Sequence, residues 1–391
     1  MTLPPELRRL LPIYGVVFID VLGFTTLIPL LPVLAAKFHA STSLMGAALS
    51  TSALFATLSS PLWGSLSDRL GRKIVLQSSQ LCSLVGYALI ALSGSLAIVY
   101  VARAISGLGG GNLGVAESYI ADVTDAKDRE RAFAWSSAAF GAGFVVGPVL
   151  AGQLLRVNSA LPFWVAVGLE ALNLTLTQFF ISSKTSSRRQ RTSDVLEVLH
   201  KGNVLNLLAR QFCYILAYTY FFGIFALYLQ KALNLPPQDS SLLLGFAGGV
   251  GALVLVVGAD PIARRFGKER LVTGSFVLAL LSFLAMTFAR NLLTFVPVLI
   301  VWSAAGAALR PTLDALLSQE APAQARGAVL GVADALNNAS MIVGPVAGGL
   351  ILESHVGLIG VFPAACCAIA LVLCARRTGA PGKASRAPAA A

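Results

Sequence analysis

Long apolar runs separated by short polar breaks dominate this chain. Twelve runs stand out, at roughly 11–36, 43–66, 74–93, 96–120, 131–154, 161–182, 204–230, 238–259, 271–289, 291–317, 327–352 and 357–375. Each comes close to or exceeds the ~20 mostly apolar residues that a helix needs to cross a hydrocarbon layer. The pattern predicts an all-α integral membrane protein with twelve transmembrane helices. Proline and glycine interrupt many runs, which membrane helices tolerate when neighbours re-satisfy the freed backbone groups. The first run holds Asp20 and three prolines and continues too far for the apolar core of a signal peptide, so it reads as a retained helix.

Composition agrees. Of 391 residues, 56% are hydrophobic and 12% charged, against about 25% charged in soluble domains. The net charge of +11 suggests nucleic acid until the charges are placed. With the N-terminus inside, the inner loops and tail hold 22 Lys and Arg and the outer loops only Lys37, Arg156, Lys231 and Arg290. That asymmetry follows the positive-inside rule. It predicts a multi-pass plasma-membrane protein with both termini cytoplasmic, a lipid bilayer as its surroundings and no nucleic-acid partner. No Gly-x-x-x-x-Gly-Lys-Ser/Thr loop is present, so an ATP-driven pump is not expected. No nucleophile with a positioned base argues for an enzyme. The five cysteines (Cys82, Cys213, Cys366, Cys367, Cys374) lie in apolar runs without metal spacing, and His39, His200 and His355 fall at loop edges. Neither a metal nor a cofactor is expected, and the chain reads as a monomer.

The chain repeats itself weakly. Gly147-Pro-Val-Leu-Ala-Gly152 returns as Gly344-Pro-Val-Ala-Gly-Gly349, 197 residues later, and Arg69-Leu-Gly71 returns as Arg265-Phe-Gly267, 196 later. Arg129 finds Arg326 and Glu117 finds Asp314, each 197 on. Six-span halves related by an axis along the membrane normal are a transporter architecture. The expected organisation is a six-helix bundle over 1–182, a Ser- and Arg-rich cytoplasmic linker at 183–203, a second bundle over 204–377 and a disordered cytoplasmic tail at 378–391.

Several embedded polar residues are candidates for chemistry. A carboxylate inside a span costs about 2.5–3.5 kcal/mol even on the mild insertion scale. Asp20 is therefore either a proton carrier exposed alternately to the two sides or an acid paired permanently with a neighbour. Arg103 stays protonated and either tunes a nearby acid or snorkels to the outer interface. In Gly64-Ser-Leu-Ser-Asp68-Arg69-Leu-Gly71-Arg72-Lys73, the glycines read as permitting a tight turn. Asp68 is placed to meet the start of the eleventh run near Gly327, where a helix dipole favours negative charge, and Asp122 to pair with Arg69 or Arg72. A plain topology loop is the other reading. Gly143, Gly147, Pro148 and Gly152 give a small-residue face with a kink, for gating or for ordinary packing.

The remaining candidates for a substrate path are Phe24, Asn112, Glu117, Gln211, Tyr214, Tyr218, Phe221, Arg310, Asp314 and Asn337, with Tyr220, Phe222, Asp334 and Asn338 beside them. Arg310 and Asp314 stand i,i+4 and suit a local ion pair. The aromatics suit flat apolar ligands and cations, or serve packing.

These motifs carry a resemblance. Asp20-x-x-Gly23 with Pro29-Leu-Leu-Pro32, the Gly64–Lys73 segment, Arg103-x-x-Ser-Gly107-x-Gly109-Gly110 and Gly143-x-x-x-Gly147-Pro148-x-x-x-Gly152 resemble the major facilitator superfamily's twelve-span drug:proton antiporters. The segment from Tyr119-Ile-Ala-Asp-Val-Thr-Asp125 through Gly152 is similar to bacterial tetracycline efflux carriers. The resemblance implies the major facilitator fold, two pseudo-symmetric six-helix bundles. It also implies proton coupling through Asp20 and Arg103, and an inner gate of Gly64, Asp68, Arg69, Gly71, Arg72, Lys73 and Asp122 that is shut in the outward-facing state. Those carriers also place acids in spans 3 and 9, where runs 74–93 and 271–289 have none. Arg264 stands where the repeat would put Asp68. The departures point away from tetracycline itself as cargo. The expectation is a secondary active transporter that exports small amphipathic compounds in exchange for protons. A facilitator or proton symporter of a sugar or organic acid stays open.

Overall fold

The computed structural model describes residues 10–110, 112–125, 128–182, 203–322 and 325–377, and all regular structure among them is helical. The twelve passes are α1 (Leu11–Phe38), α2 (Thr42–Leu70), α3 (Arg72–Ala91), α4 (Leu96–Val123), α5 (Arg129–Val157), α6 (Leu161–Phe180), α7 (Val204–Leu233), α8 (Pro237–Gly258), α9 (Lys268–Phe288), α10 (Leu292–Glu320), α11 (Arg326–Ser354) and α12 (Val361–Arg377). The expected tail and all but Asn203 of the expected linker lie outside the described residues.

Eleven of these passes are long and apolar enough to cross a membrane, among the described residues. The remaining one, α2, has 29 residues, or about 43 Å at 1.5 Å per residue, but ten of them are Ser or Thr. Some of its hydroxyls are handled locally: Thr51 donates to the Ala47 carbonyl and Thr57 to Ala53, each at 2.8 Å, while Ser59 also reaches the Gly107 carbonyl of α4 at 3.4 Å.

Breaks fall where the sequence weakens a helix. In α1, Pro29 sits in a single tight turn, Ile28–Leu30, before the helix resumes at Leu31. α4 is two helices, Leu96–Leu108 and Asn112–Val123, parted at its run of glycines. The run expected at 96–120 is a single pass with an internal break. The expectation of a turn spread over Gly64 to Lys73 is corrected. α2 stays helical through Leu70, and the turn is Gly71 alone, at φ 96°. Gly64 is an ordinary helical residue whose missing Cβ faces open space. Gly267, its repeat partner being Gly71, takes φ 86°. Both sit in a region that glycine enters without a steric penalty.

The two halves pack alike. α1 lies on α5 and α6 as α7 lies on α11 and α12. α4 lies on α2 and α3 as α10 lies on α8 and α9, and α3 meets α6 as α9 meets α12. Buried threonines repeat at the same places. Thr25 donates to the Gly143 carbonyl at 3.3 Å, and Thr219 to the Ser340 carbonyl at 3.0 Å. α1 and α7 are the most enclosed of the apolar passes.

The halves join through α2 on α11 and α5 on α8. Contact is backbone to backbone at Gly46, which meets the Pro345 carbonyl, and at two further glycines. A Cβ on Gly349 would lie 2.5 Å from the Thr42 carbonyl oxygen, and one on Gly152 would lie 2.9 Å from that of Gln238. A polar latch stands beside each. Ser43 donates its hydroxyl to Glu353 at 2.5 Å, and Arg156 meets Asp239 at 3.4 Å. Ser43 and Asp239 are 196 residues apart, and Arg156 and Glu353 197, so the latches occupy equivalent places with different chemistry. Both lie at one end of the molecule. Toward the Asp68 end no atom comes within 4 Å of a Cβ on Gly64 or Gly331.

Gly349→Val is expected to force α2 from α11 and cost about 1–3 kcal/mol, as overpacking does. The melting temperature should fall, and Ser43→Cys should react faster with a water-soluble maleimide. Gly168→Val, whose Cβ meets nothing within 4 Å, serves as the control and should change neither.

Candidate transport site

Asp20 lies in the middle of the long helical part of α1, half-buried on a small cleft formed with Val17, Val21, Asn112 and Leu113. Asn112 donates its side-chain amide to Asp20 Oδ1 at 2.8 Å. Asn112 is also the first residue of the second helix of α4. The glycine break thus turns a helix N-terminus, with its partial positive charge, toward the carboxylate. Two candidates that the sequence could only enumerate are one hydrogen-bonded pair in space.

Arg103 is 3% exposed and its Nε has no hydrogen-bond partner. It lies inside the protein, so the snorkelling alternative is corrected: close packing at Gly86 and Gly107, on either side of it, holds this stretch of α4 against α3 and α2. Tyr87 of α3 stands within electrostatic reach of Arg103, Asp20 and a third charged residue, Glu170 of α6. Glu170 is 1% exposed and accepts a long hydrogen bond from Asn173 at 3.4 Å. Sequence reasoning missed it. The signal was present, because Glu170 is the one acid in the apolar run 161–182, and an intramembrane acid is a site candidate by default.

A second group of candidates lies in the second half and reaches the first at Phe144. Phe144 of α5 stacks on Phe222 of α7 with ring centroids 5.0 Å apart. Tyr218 continues the stack against both Phe222 and Trp302, each at 5.4 Å. Phe221 meets Trp302 edge-on at 5.3 Å, and Tyr214 lies beside Tyr218 with its hydroxyl on the Gly306 carbonyl at 2.9 Å. Tyr214, Tyr218, Phe283 and Trp302 line a narrow cleft. Phe24 is half-buried and joins no ring stack among the described residues.

Charges line the gap between the halves. Gln211 donates to Asp314 at 2.7 Å, and Arg310 approaches Asp314 at 4.0 Å with both side chains 40–50% exposed. Glu117 of α4 feels Arg310 of α10 and Asp334 of α11 across the gap. Asn337, half-buried, is one turn on from Asp334. Three carboxylates face one guanidinium. Glu117, Arg310 and Asp334 are all exposed, so the gap between the halves is open to water here while the Ser43 end is shut.

The charged end of α2 forms a node on Arg72. Its guanidinium donates to Asp122 at 3.1 Å and to Asp68 at 2.8 Å, and also bonds the Ser67 hydroxyl. Asp122 pairs with Arg72 rather than Arg69. Asp68 keeps 52% of its side chain exposed, and the side chains at 326–328, where it was expected to reach, lie outside the described residues. Lys73 is spent within its own half, on the Gln178 carbonyl at 2.6 Å. The glycine motif divides its work. Gly143 and Gly147 press on α1 at Phe18 and Leu22, Pro148 is buried beside them, and Gly152 presses on α8.

The family model for the Major Facilitator Superfamily matches residues 13–260 and 207–391. Among curated proteins, the chain is 29% identical to "Tetracycline resistance protein, class C" of Escherichia coli over 356 residues, 87% of this chain and 88% of that one. It is 26% identical to "Multidrug resistance protein 2" of Bacillus subtilis (strain 168), again over 87% and 88%. Among solved structures, the nucleoside transporter NupG superposes with a TM-score of 0.81 over 94% of this chain and 99% of that one, at 13% identity, a likeness of fold alone.

Removing Arg72 would leave Asp122, mostly buried, without its partner. Arg72→Ala is expected to cost about 1.5–3 kcal/mol, the range of a hydrogen bond to a charged group, seen as a lower melting temperature of the purified protein. Arg72→Lys keeps the charge but not the planar fork and should restore less than half of the loss.

Proposed function

The chain belongs to the Major Facilitator Superfamily, and from that premise we propose that it exports small amphipathic, drug-like compounds in exchange for protons by alternating access. The observation that carries this reading is Asp20, an acid midway along α1, held by Asn112 at the glycine break of α4. A proton-driven carrier needs a group that gains and loses a proton as its access to water changes. Asp20 lies on a cleft, and Arg103 is near enough to influence it through Tyr87.

The aromatic stack and the carboxylates around the gap support the cargo class. Flat rings take apolar surface, and three carboxylates against one guanidinium favour compounds carrying positive charge. The names of the two relatives, tetracycline resistance and multidrug resistance, support efflux of such compounds. An organic acid would meet repulsion in the same gap.

In this reading residues 1–182 and 204–377 are the moving bodies, joined by 183–203, in one monomeric chain. Both termini face the cytoplasm of a plasma-membrane protein, and the Ser43 end faces outward. The structure then corresponds to an inward-open state, with Ser43–Glu353 and Arg156–Asp239 shutting the outside. Asp68, half exposed beside Arg72, turns from that pair to meet the start of α11 when the inside closes, while Arg72 holds Asp122 in both states.

The test is transport by inverted membrane vesicles with an acid interior. The wild type should concentrate a lipophilic cationic drug inside them. Asp20→Asn should fall to the level of empty vesicles while eluting as a folded protein and still exchanging labelled for unlabelled drug. Wild-type pumping by Asp20→Asn would remove Asp20 from the mechanism. A wild type that only equilibrates cargo, whatever the gradient, would put a facilitator in place of the antiporter.

A further inference from the structure

We propose that Asp20 and Glu170 form a single proton-holding site, a carboxyl pair balanced by Arg103. The proposal deepens the proton-exchange reading above and rests on it.

The register of three helix pairs brings these groups to one level. A Cβ on Gly15 of α1 would lie 3.9 Å from Leu176 of α6. These helices run antiparallel, so five residues along α1, at Asp20, the facing level on α6 has moved back to Ala171, next to Glu170. Gln80 of α3 donates to Thr177 of α6 at 2.9 Å. Seven residues along each, Tyr87 comes level with Glu170. The Tyr87 hydroxyl lies 3.3 Å from where a Cβ on Gly23 would stand, one turn from Asp20. On α4, the Ala102 carbonyl and Ser106 press against Gly86, which sets Arg103 beside Tyr87. Glu170 and Asp20 accordingly feel each other's charge.

Asp20 from α1 and Tyr87 from α3 face Glu170, and Tyr87 in turn stands within reach of Arg103 from α4 and links it to the pair. α5, also packed on α6, carries its charges near its ends, at Arg129, Glu130, Arg131 and Arg156. With both carboxylates ionised against one guanidinium, the site holds a net negative charge around residues only 1% and 3% exposed, Glu170 and Arg103. Uncompensated buried charge is costly. One proton on the pair makes the cluster neutral, and such a pair binds its proton jointly.

The hydrogen bonding is incomplete in a way that suits two protonation states. Glu170 Oε1, Asn112 Oδ1, Asn173 Oδ1 and Arg103 Nε are all buried without a partner. A protonated carboxyl donates one hydrogen bond and an ionised one only accepts, so moving the proton changes which of these atoms are served. Asp20, on its cleft, is the member nearer water.

The test uses the full-length protein in lipid vesicles and dicyclohexylcarbodiimide, an apolar reagent that modifies protonated carboxyls, with adducts located by peptide mass spectrometry. Near neutral pH the wild type is expected to be modified at both Glu170 and Asp20. In Asp20→Asn the remaining carboxylate balances Arg103 one to one, and labelling of Glu170 should fall about tenfold, one pH unit of preference. Glu170→Gln should do the same to Asp20, and Glu170→Asp should restore it. If Glu170→Gln does not fold, the Asp20→Asn arm decides. No adduct at Glu170, or labelling of Glu170 indifferent to Asp20→Asn, overturns the pair. Coupled labelling in a protein that pumps no drug keeps the pair and removes the efflux reading. Proton-driven efflux with uncoupled labelling keeps the efflux reading and removes the pair.

Discussion

Two helices meet backbone to backbone only where no side chain intervenes. Here that condition holds at Gly46 on Pro345, at Gly349 on Thr42 and at Gly152 on Gln238. Everything that lies between the halves follows from those contacts. They close one end and leave the spans to diverge toward the other, so the aromatic stack through Phe144, Phe222 and Tyr218 sits where the gap begins. The joint combines helix backbone with valines, Val149 and Val145 of α5 seated on Gly245 and Gly248 of α8. The polar latches beside it add closure that water can compete for, and an exposed pair such as Arg156–Asp239 contributes under about 1 kcal/mol.

Within the first half the governing constraint is charge in a low dielectric. Asp20, Arg103 and Glu170 come from three helices and share one level, and none could be buried cheaply alone. The break in α4 serves the same constraint, since it lets Asn112 and a helix start face Asp20. In the second half the equivalent volume is filled by rings, with Phe221, Tyr228, Phe283 and Phe295 packed edge to face or tilted. The pseudo-symmetry of the backbone therefore carries two different interiors, one polar and one aromatic.

Much of this was legible in the chain. Apolar runs gave the passes to within a few residues, and the offset of 196–197 residues located paired features, including the turns at Gly71 and Gly267. Asp20 was marked by the cost of a carboxylate among Val, Ile and Leu. Other features were not legible. Helicity through Leu70 was hidden because charged residues read as a loop, although a helix end that reaches water tolerates them. The closed end was hidden because Ser43, Asp239, Arg156 and Glu353 look like ordinary polar loop residues until the halves are assembled. Glu170 stood in plain view but had no opposite charge at helical spacing to mark it, only Asn173 at i+3.

Sequence alone determined the membrane-spanning helices, the two-fold repeat and the identity of the polar residues, because hydrophobic length and local backbone preference act on neighbours along the chain. Tertiary structure alone decided which acid meets which base, which end is shut and which rings form a wall. Those outcomes depend on register between helices far apart in sequence, and a shift of one residue in any of them would rotate the side chain by about 100° away from its partner.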